Sequence, residues 1–325
     1  MGRERSRVHK RRRGCLTGCL TNLLLLLGLA ALLFVGACVL GIVRNDPETG
    51  KPYLSFESVG LSGVTLPELG LPELDLPAWA YRVNASGLTV KTLRAGQGEA
   101  VLVCSDGYTM LLGAGSGTGA LVSAQLLLSG VSHLHAAVAP QSSDEQIGGM
   151  KAVIPLMKPD YLFYTDTQVK SSAFVAMLDA ADSRSTQCIA AEKGISFSLG
   201  RATVTVVGPA VRHHTQERDD GLSVRIDYGN TSVLVLGGIT SAGERELASS
   251  GVNLDVDVLI ADGAEDTACL ALVEAATPSV ALLTGKSPAN PVRVRLQKAG
   301  AQVYTASENG VMTVFSDGQS VSVQP

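Results

Sequence analysis

At the end of a short apolar stretch the chain reads Ala139-Pro-Gln-Ser-Ser-Asp-Glu-Gln-Ile-Gly-Gly-Met150. Gln141, Ser143, Glu145 and Gln146 crowd a loop that leaves a strand and enters a helix at Gly148-Gly149. Such loops are where an α/β protein presents side chains to a ligand. Imidazoles and several carboxylates at this spacing would make a metal centre. Amide and hydroxyl oxygens are weak, neutral ligands for zinc, which favours His, Cys and carboxylate. The charge here belongs to Asp144 and Glu145. Together with Asp262 they could hold a hard cation, magnesium or calcium, through oxygens. Ser143 and Ser116 have no apparent histidine base, so a serine nucleophile has no support.

A second stretch, Gly113-Ala-Gly-Ser-Gly-Thr-Gly-Ala120, follows a strand and opens a helix. Read from Gly115 it matches G-x-G-x-x-A, a dinucleotide pattern. The ribose-binding acid expected about 20 residues later is missing, because residues 132–140 contain no Asp or Glu. No Gly-Lys-Ser/Thr occurs, which excludes a P-loop. The backbone of Gly115, Ser116 and Gly117 could still hold an anion.

The five histidines suggest no catalytic cluster. His9 lies in the basic N-terminal tail. His133 and His135 precede the strand that leads into the loop, at its opposite end, and read as polar side chains facing solvent. His213 and His214 precede Asp219 and Asp220 without a third convergent metal ligand. Cys104, Cys188 and Cys269 are scattered singly, and no C-x-x-C pair occurs, so zinc-ribbon and thioredoxin readings fall away.

Positioning these groups falls to a chain of alternating elements. Periodicity predicts strands at 88–93, 100–104 and 109–112, then a helix at 119–129 and a strand at 136–138. A helix at 148–157, a strand at 161–164 and a helix at 172–182 follow. Strands at 202–207, 222–228 and 231–236 begin a second series, the last two joined by the turn Gly229-Asn230. Helices at 243–249, 266–276 and 291–299 then alternate with strands at 256–261, 280–283 and 302–305. Strands at 310–315 and 320–323 close the chain. Hairpins followed by strand–helix alternation, twice over, imply two sheets flanked by helices.

The first 43 residues are different. They hold seven Lys/Arg and one acid, leaving 19 bases against 29 acids beyond them, a net of −10. Residues 1–20 read as a basic cytoplasmic tail and 21–43 as a transmembrane helix. At about 1.5 Å per residue that apolar run can cross a hydrocarbon core of roughly 30 Å. Its bases lie only on the N-terminal side, which puts the N-terminus inside and the body outside. Val35-Gly-Ala-Cys38 has the look of a lipidation box, but the apolar run continues past Cys38, and an uncleaved anchor is the expectation. Residues 44–85 read as a linker, in which Pro67, Pro72 and Pro77 keep the chain extended. The domain itself spans 86–325. A body at net −10 repels phosphate, so nucleic acid is not an expected partner.

Several segments taken together resemble the metallo-β-lactamase fold. They are Gly96-Gln-Gly-Glu-Ala-Val-Leu-Val103, Thr109-Met-Leu-Leu-Gly-Ala-Gly115, the loop ending Ile147-Gly-Gly149, Asp220-Gly-Leu-Ser-Val-Arg-Ile-Asp-Tyr-Gly229, Leu234-Val-Leu-Gly-Gly238, Asp257-Val-Leu-Ile-Ala-Asp-Gly263 and Lys298-Ala-Gly-Ala-Gln-Val-Tyr-Thr305. Within that fold the likeness is to the extracytoplasmic domain of the ComEC family of DNA-uptake channels. It implies an αββα sandwich and a zinc site. The resemblance also implies which positions would carry that site, and they read Gln141, Ser143, Glu145 and Gln146, with Gly113, Gly238, Asp262 and Asn290 further on. Zinc is therefore expected of the family but not of this chain. The reading is a membrane-attached pseudo-hydrolase that serves as a binding or scaffold module, with an unidentified protein or small-molecule partner. The alternatives are a hydrolase or nuclease with an oxygen-rich metal site, and an anion- or nucleotide-binding module.

Overall fold

A computed structural model describes residues 86–167, 170–285 and 287–325, together with the backbone of 43–45 and 52–54. The chain divides into two compact units, Met1–Asp75 and Leu76–Pro325. In the first, β1 (Val43–Asn45) pairs antiparallel with β2 (Pro52–Leu54), so part of the expected linker is a hairpin. The basic tail, the membrane segment apart from Val43 and the proline repeat lie outside the described residues. Among the described residues no helix is long and apolar enough to cross a membrane.

The second unit is built from two sheets. In sheet one, β3 (Leu88–Thr92), β4 (Val101–Ser105) and β5 (Tyr108–Leu112) run antiparallel. Three parallel strands extend it: β6 (Ala136–Ala139), β7 (Tyr161–Tyr164) and β8 (Gln187–Ala190). Sheet two starts antiparallel with β9 (Ser196–Leu199), β10 (Ala202–Gly208), β11 (Ser223–Tyr228) and β12 (Thr231–Val235). Parallel strands β13 (Val258–Ala261), β14 (Val280–Leu283) and β15 (Gln302–Thr305) complete it. Finally β16 (Thr313–Ser316) and β17 (Val321–Gln324) return to sheet one beside β3.

Alternation along the strands sorts side chains into three cores. Val101, Val103, Met110, Leu112 and Val138 face Val224, Ile226, Val233, Val258 and Leu282 between the sheets. Their neighbours Leu102, Cys104, Leu111 and Ala137 face outward. These are covered by α1 (Ala120–Leu128), α3 (Met150–Met157) and α4 (Ser172–Asp182). On the far side α5 (Ser241–Ser249), α6 (Leu270–Ala276) and α7 (Asn290–Lys298) cover Leu234, Leu259 and Ala281. Strands apolar on both faces can only be central, so runs such as Val258-Leu-Ile-Ala261 had to lie inside. Each such side chain contributes about 1.5–3 kcal/mol on burial. The result is the expected αββα sandwich, two sheets with helices on both outer faces.

In the second unit two strands and three helical turns were not expected, one of the turns being the 3-10 turn Glu217–Asp220. β8 is an edge strand with an exposed face and β9 alternates short polar residues, so neither has the apolar pattern of a buried strand. A short helix α2 (Asp144–Ile147) lies ahead of α3, and α8 (Ala306–Asn309) follows β15. Side-chain caps fix the helices that matter for the site. Thr240 accepts from Ala242 N at the start of α5, and Ser171 accepts from Phe174 N at the start of α4.

Candidate functional site

The turns after β5, β6, β12, β13 and β14 converge at one end of the sandwich. They are joined there by the β3–β4 loop and by a 3-10 turn, Glu217–Asp220. At their meeting point Gly238 has φ +77, and a Cβ on it would lie 2.8 Å from Gln146 Nε2 and 3.1 Å from Gln141 Nε2. Two carboxamide nitrogens therefore occupy the ground that a side chain at 238 would need. Gln141 is buried and donates from Nε2 to Gly237 O at 3.0 Å and to Arg218 O at 3.3 Å.

Arg218 closes the site from the 3-10 turn. Its Nε donates to Gly238 O at 3.1 Å, and its Nη groups reach Asp262 at 3.4 Å and Asp266 at 3.3 Å. Asp262 also accepts from Ala264 N at 2.9 Å. Beneath it lies Glu99, which is 1% exposed. Thr284 Oγ1 donates to Glu99 Oε1 at 3.3 Å, while Glu99 Oε2 has no partner. Burial pushes the Glu99 carboxyl up to about 8, the Asp262 charge adds to this, and the Thr284 hydrogen bond opposes it. Glu99 is thus a neutral acid at pH 7. Glu244, fully buried on α5, accepts from Ala268 N at 2.7 Å and Cys269 N at 2.6 Å. Burial lifts it to about 7 against those hydrogen bonds.

A metal needs converging lone pairs. What converges beside Gly238 is N–H: two carboxamides and a guanidinium. The accompanying acids are already engaged: Glu99 is protonated, Glu244 accepts from two backbone amides, Asp219 accepts from Thr240, Asp220 meets His214, and Asp262 and Asp266 meet Arg218. This donor set does not fit zinc.

The remaining expected positions scatter. Ser143 Oγ reaches Gln141 Oε1 at 3.5 Å. Gln146 is buried with Oε1 unpartnered. Asp144 and Glu145 are exposed, and among the described residues they form no group of ligand atoms with Asp262. Among the described residues the group of three possible ligands within reach of one another is His133, His135 and Asp160. It lies at the opposite end of sheet one, where His135 Nδ1 accepts from Thr109 N at 3.1 Å. That bond uses the lone pair a metal would take, so the trio caps β5 and β6 and is no metal centre. Asn290 is exposed at the first turn of α7.

The glycine turn is already engaged. Gly115 N donates to Glu99 O at 3.2 Å, and Ser116 N donates to Ala95 O at 3.1 Å and Gln97 O at 2.9 Å. Ser116 Oγ accepts from Gln97 N, and a Cβ at Gly117 would meet open space. The turn therefore carries the β3–β4 loop, leaving few amides for an anion. The basic helix α7 is also committed. Arg293 pairs with Glu308, and Arg295 donates to Thr267 O and Ala268 O.

Sequence reasoning missed Glu99, Arg218 and Thr284. The acid in Gly-Gln-Gly-Glu99 was a usable signal, since an acid directly before the apolar run 100–104 is due for burial. Nothing local marked Arg218. His214, which the sequence marked only as preceding Asp219 and Asp220, is wedged between two acids. Its Nδ1 lies 2.8 Å from Asp220 and its Nε2 2.9 Å from Glu246. Burial opposes its charge, but the hydrogen bonds to Glu246 and Asp220 prevail and hold its pKa above the ordinary value. A raised histidine stabilises the fold fully below about 6.5 and loses that contribution as pH rises through its folded pKa. His214→Gln should therefore cost on the order of 1 kcal/mol at pH 6 and less at pH 9, read from urea midpoints. An equal cost at both pH values would remove the clamp.

No protein-family model matches the chain, and no curated protein matches it in sequence. Solved structures do resemble it. The metallo-beta-lactamase fold protein YhfI from Bacillus subtilis is 16% identical with a TM-score of 0.48, over 69% of this chain and 98% of that one. Igni18, a metallo hydrolase from Ignicoccus hospitalis, is 17% identical with a TM-score of 0.47, over 69% and 98%. The E377D mutant of the β-hydroxylase CmlA is 14% identical with a TM-score of 0.50, over 80% of this chain and 58% of that one. CmlA is a diiron enzyme from Streptomyces venezuelae. These likenesses concern the fold alone.

Proposed function

We propose that the protein is a single-pass membrane protein whose metallo-β-lactamase-like domain, related to that of ComEC, faces outward and acts as a non-catalytic binding or scaffold module. One observation carries the reading. Where five strand-end turns converge, the side chains of Gln141, Gln146 and Arg218 bring N–H groups together in place of metal ligands. Hydrolysis on such a scaffold needs a polarising metal or an activated nucleophile. The acids that could serve as bases, Glu99 and Glu244, are sealed from solvent. The anchor rests on the apolar run 21–43 and its flanking charges.

The full-length protein is expected to stay with membranes through alkaline extraction. Purified in detergent, it should carry substoichiometric zinc, manganese and iron, and show no phosphodiester or ester hydrolysis above background. Stoichiometric metal together with hydrolysis that Glu145→Ala abolishes would overturn the reading in favour of a metal-dependent hydrolase.

A further inference from the structure

Beside the convergence point a cleft of about 280 Å³ opens. The β3–β4 loop forms one wall, and Thr284, Ser307 and Gly310 form the other. Its one charged lining residue is Arg94. The buried Gln125 of α1 clamps the backbone of Arg94 on both sides: its Oε1 accepts from Arg94 N at 2.9 Å, and its Nε2 donates to Arg94 O at 2.7 Å. A single buried amide thus fixes the root of this side chain. The guanidinium itself has no hydrogen-bonded or ionic partner among the described residues. A Cβ at Gly310 would lie 3.2 Å from an Arg94 Nη atom, so the absence of a side chain there leaves room for the charged head within the cleft.

The rest of the lining is suited to the same kind of ligand. The amides of Gly96 and Gly98 donate to no protein group among the described residues. Ser307 supplies a hydroxyl. The nearby acids do not cancel the charge of Arg94: Glu308 is engaged by Arg293, and Glu99 is buried and protonated at neutral pH. An unpaired guanidinium on a clamped backbone beside a small cleft matches the bidentate geometry of a carboxylate or phosphate.

We propose that this cleft binds a small molecule through an oxyanion group, carboxylate or phosphate, with Arg94 as the anchoring residue. The proposal rests on the reading of a non-catalytic binding domain and names the chemistry of its ligand. Two features separate it from the glycine-turn alternative. The amides of Gly115 and Ser116 are spent on the loop, and the loop they support carries the free cation.

The test uses the full-length protein in detergent, in a buffer free of phosphate and carboxylate and at constant ionic strength. Inorganic phosphate and succinate are titrated separately, with chloride as control, and the thermal midpoint is followed. A saturable rise is expected for at least one of the two oxyanions, because binding to the folded state alone stabilises it. Which one acts distinguishes phosphate from carboxylate ligands. Arg94→Gln should weaken the apparent affinity tenfold or more, and Arg94→Lys should do so less. Arg94 is exposed and unpaired, so both variants should match the wild-type midpoint without ligand. No saturable rise with either probe, or a rise unchanged in Arg94→Gln, would overturn the proposal. Neither result would touch the non-catalytic reading, which fails only if the metal and hydrolysis measurements go the other way.

Discussion

Replacing Glu99 with glutamine should leave stability near wild type at pH 5 and raise it at pH 8. The difference should reach on the order of 3–5 kcal/mol between those limits. The cause is a carboxyl pushed up to about 8 by burial, with the Asp262 charge adding to it. Below about 4.5 both the folded and the unfolded chain carry the proton. Between there and 8 only the folded chain does, so the wild-type fold loses stability as pH rises through that window. Glutamine cannot ionise and has no such loss. It also keeps an acceptor for Thr284 Oγ1, which sits 3.3 Å from Glu99 Oε1 in the wild type. Urea midpoints of the two full-length proteins across pH 5–9 give the result directly. Glu244, also raised, is present in both and cancels from the difference. Parallel pH profiles would show that Glu99 is ionised in the fold, and the site would then be more acidic than described.

Gly98→Ala should be the most damaging small substitution in the site, costing roughly 3 kcal/mol or more. A Cβ at Gly98 would lie 1.7 Å from Glu145 O, a backbone atom that cannot swing aside, and the residue sits at φ +80. Gly107→Ala is the matched control. Gly107 has φ +86 but nothing within 4 Å of its Cβ direction, so it should cost only about 1 kcal/mol, the backbone term alone. Thermal midpoints separate the two. Equal losses would mean that the β3–β4 loop is not docked against α2, and both the Glu99 burial and the Arg94 cleft depend on that docking.

Much of the architecture was legible because burial on two faces leaves a strong mark. Runs such as Val101-Leu-Val-Cys104 and Val280-Ala-Leu-Leu283 are apolar throughout, and such strands can only be central. β8 and β9 were illegible for the converse reason: Gln187-Cys-Ile-Ala190 pairs on one side and keeps an exposed face. The loop from Gln141 to Gly149 contains no histidine and no cysteine. That composition could not show which groups gather there.

The sequence by itself determined the alternation of strands and helices, the two-sheet class and the chemical poverty of the strand-end loops, because residue type and period are local properties. Only the tertiary structure decided that Arg218, 77 residues from Gln141, fills the site, that Glu99 is neutral and that Arg94 is left unpaired. Proton affinity and pairing depend on which groups end up within a few ångströms of one another. At this end of the sandwich seven chain segments meet, and no local pattern records the others.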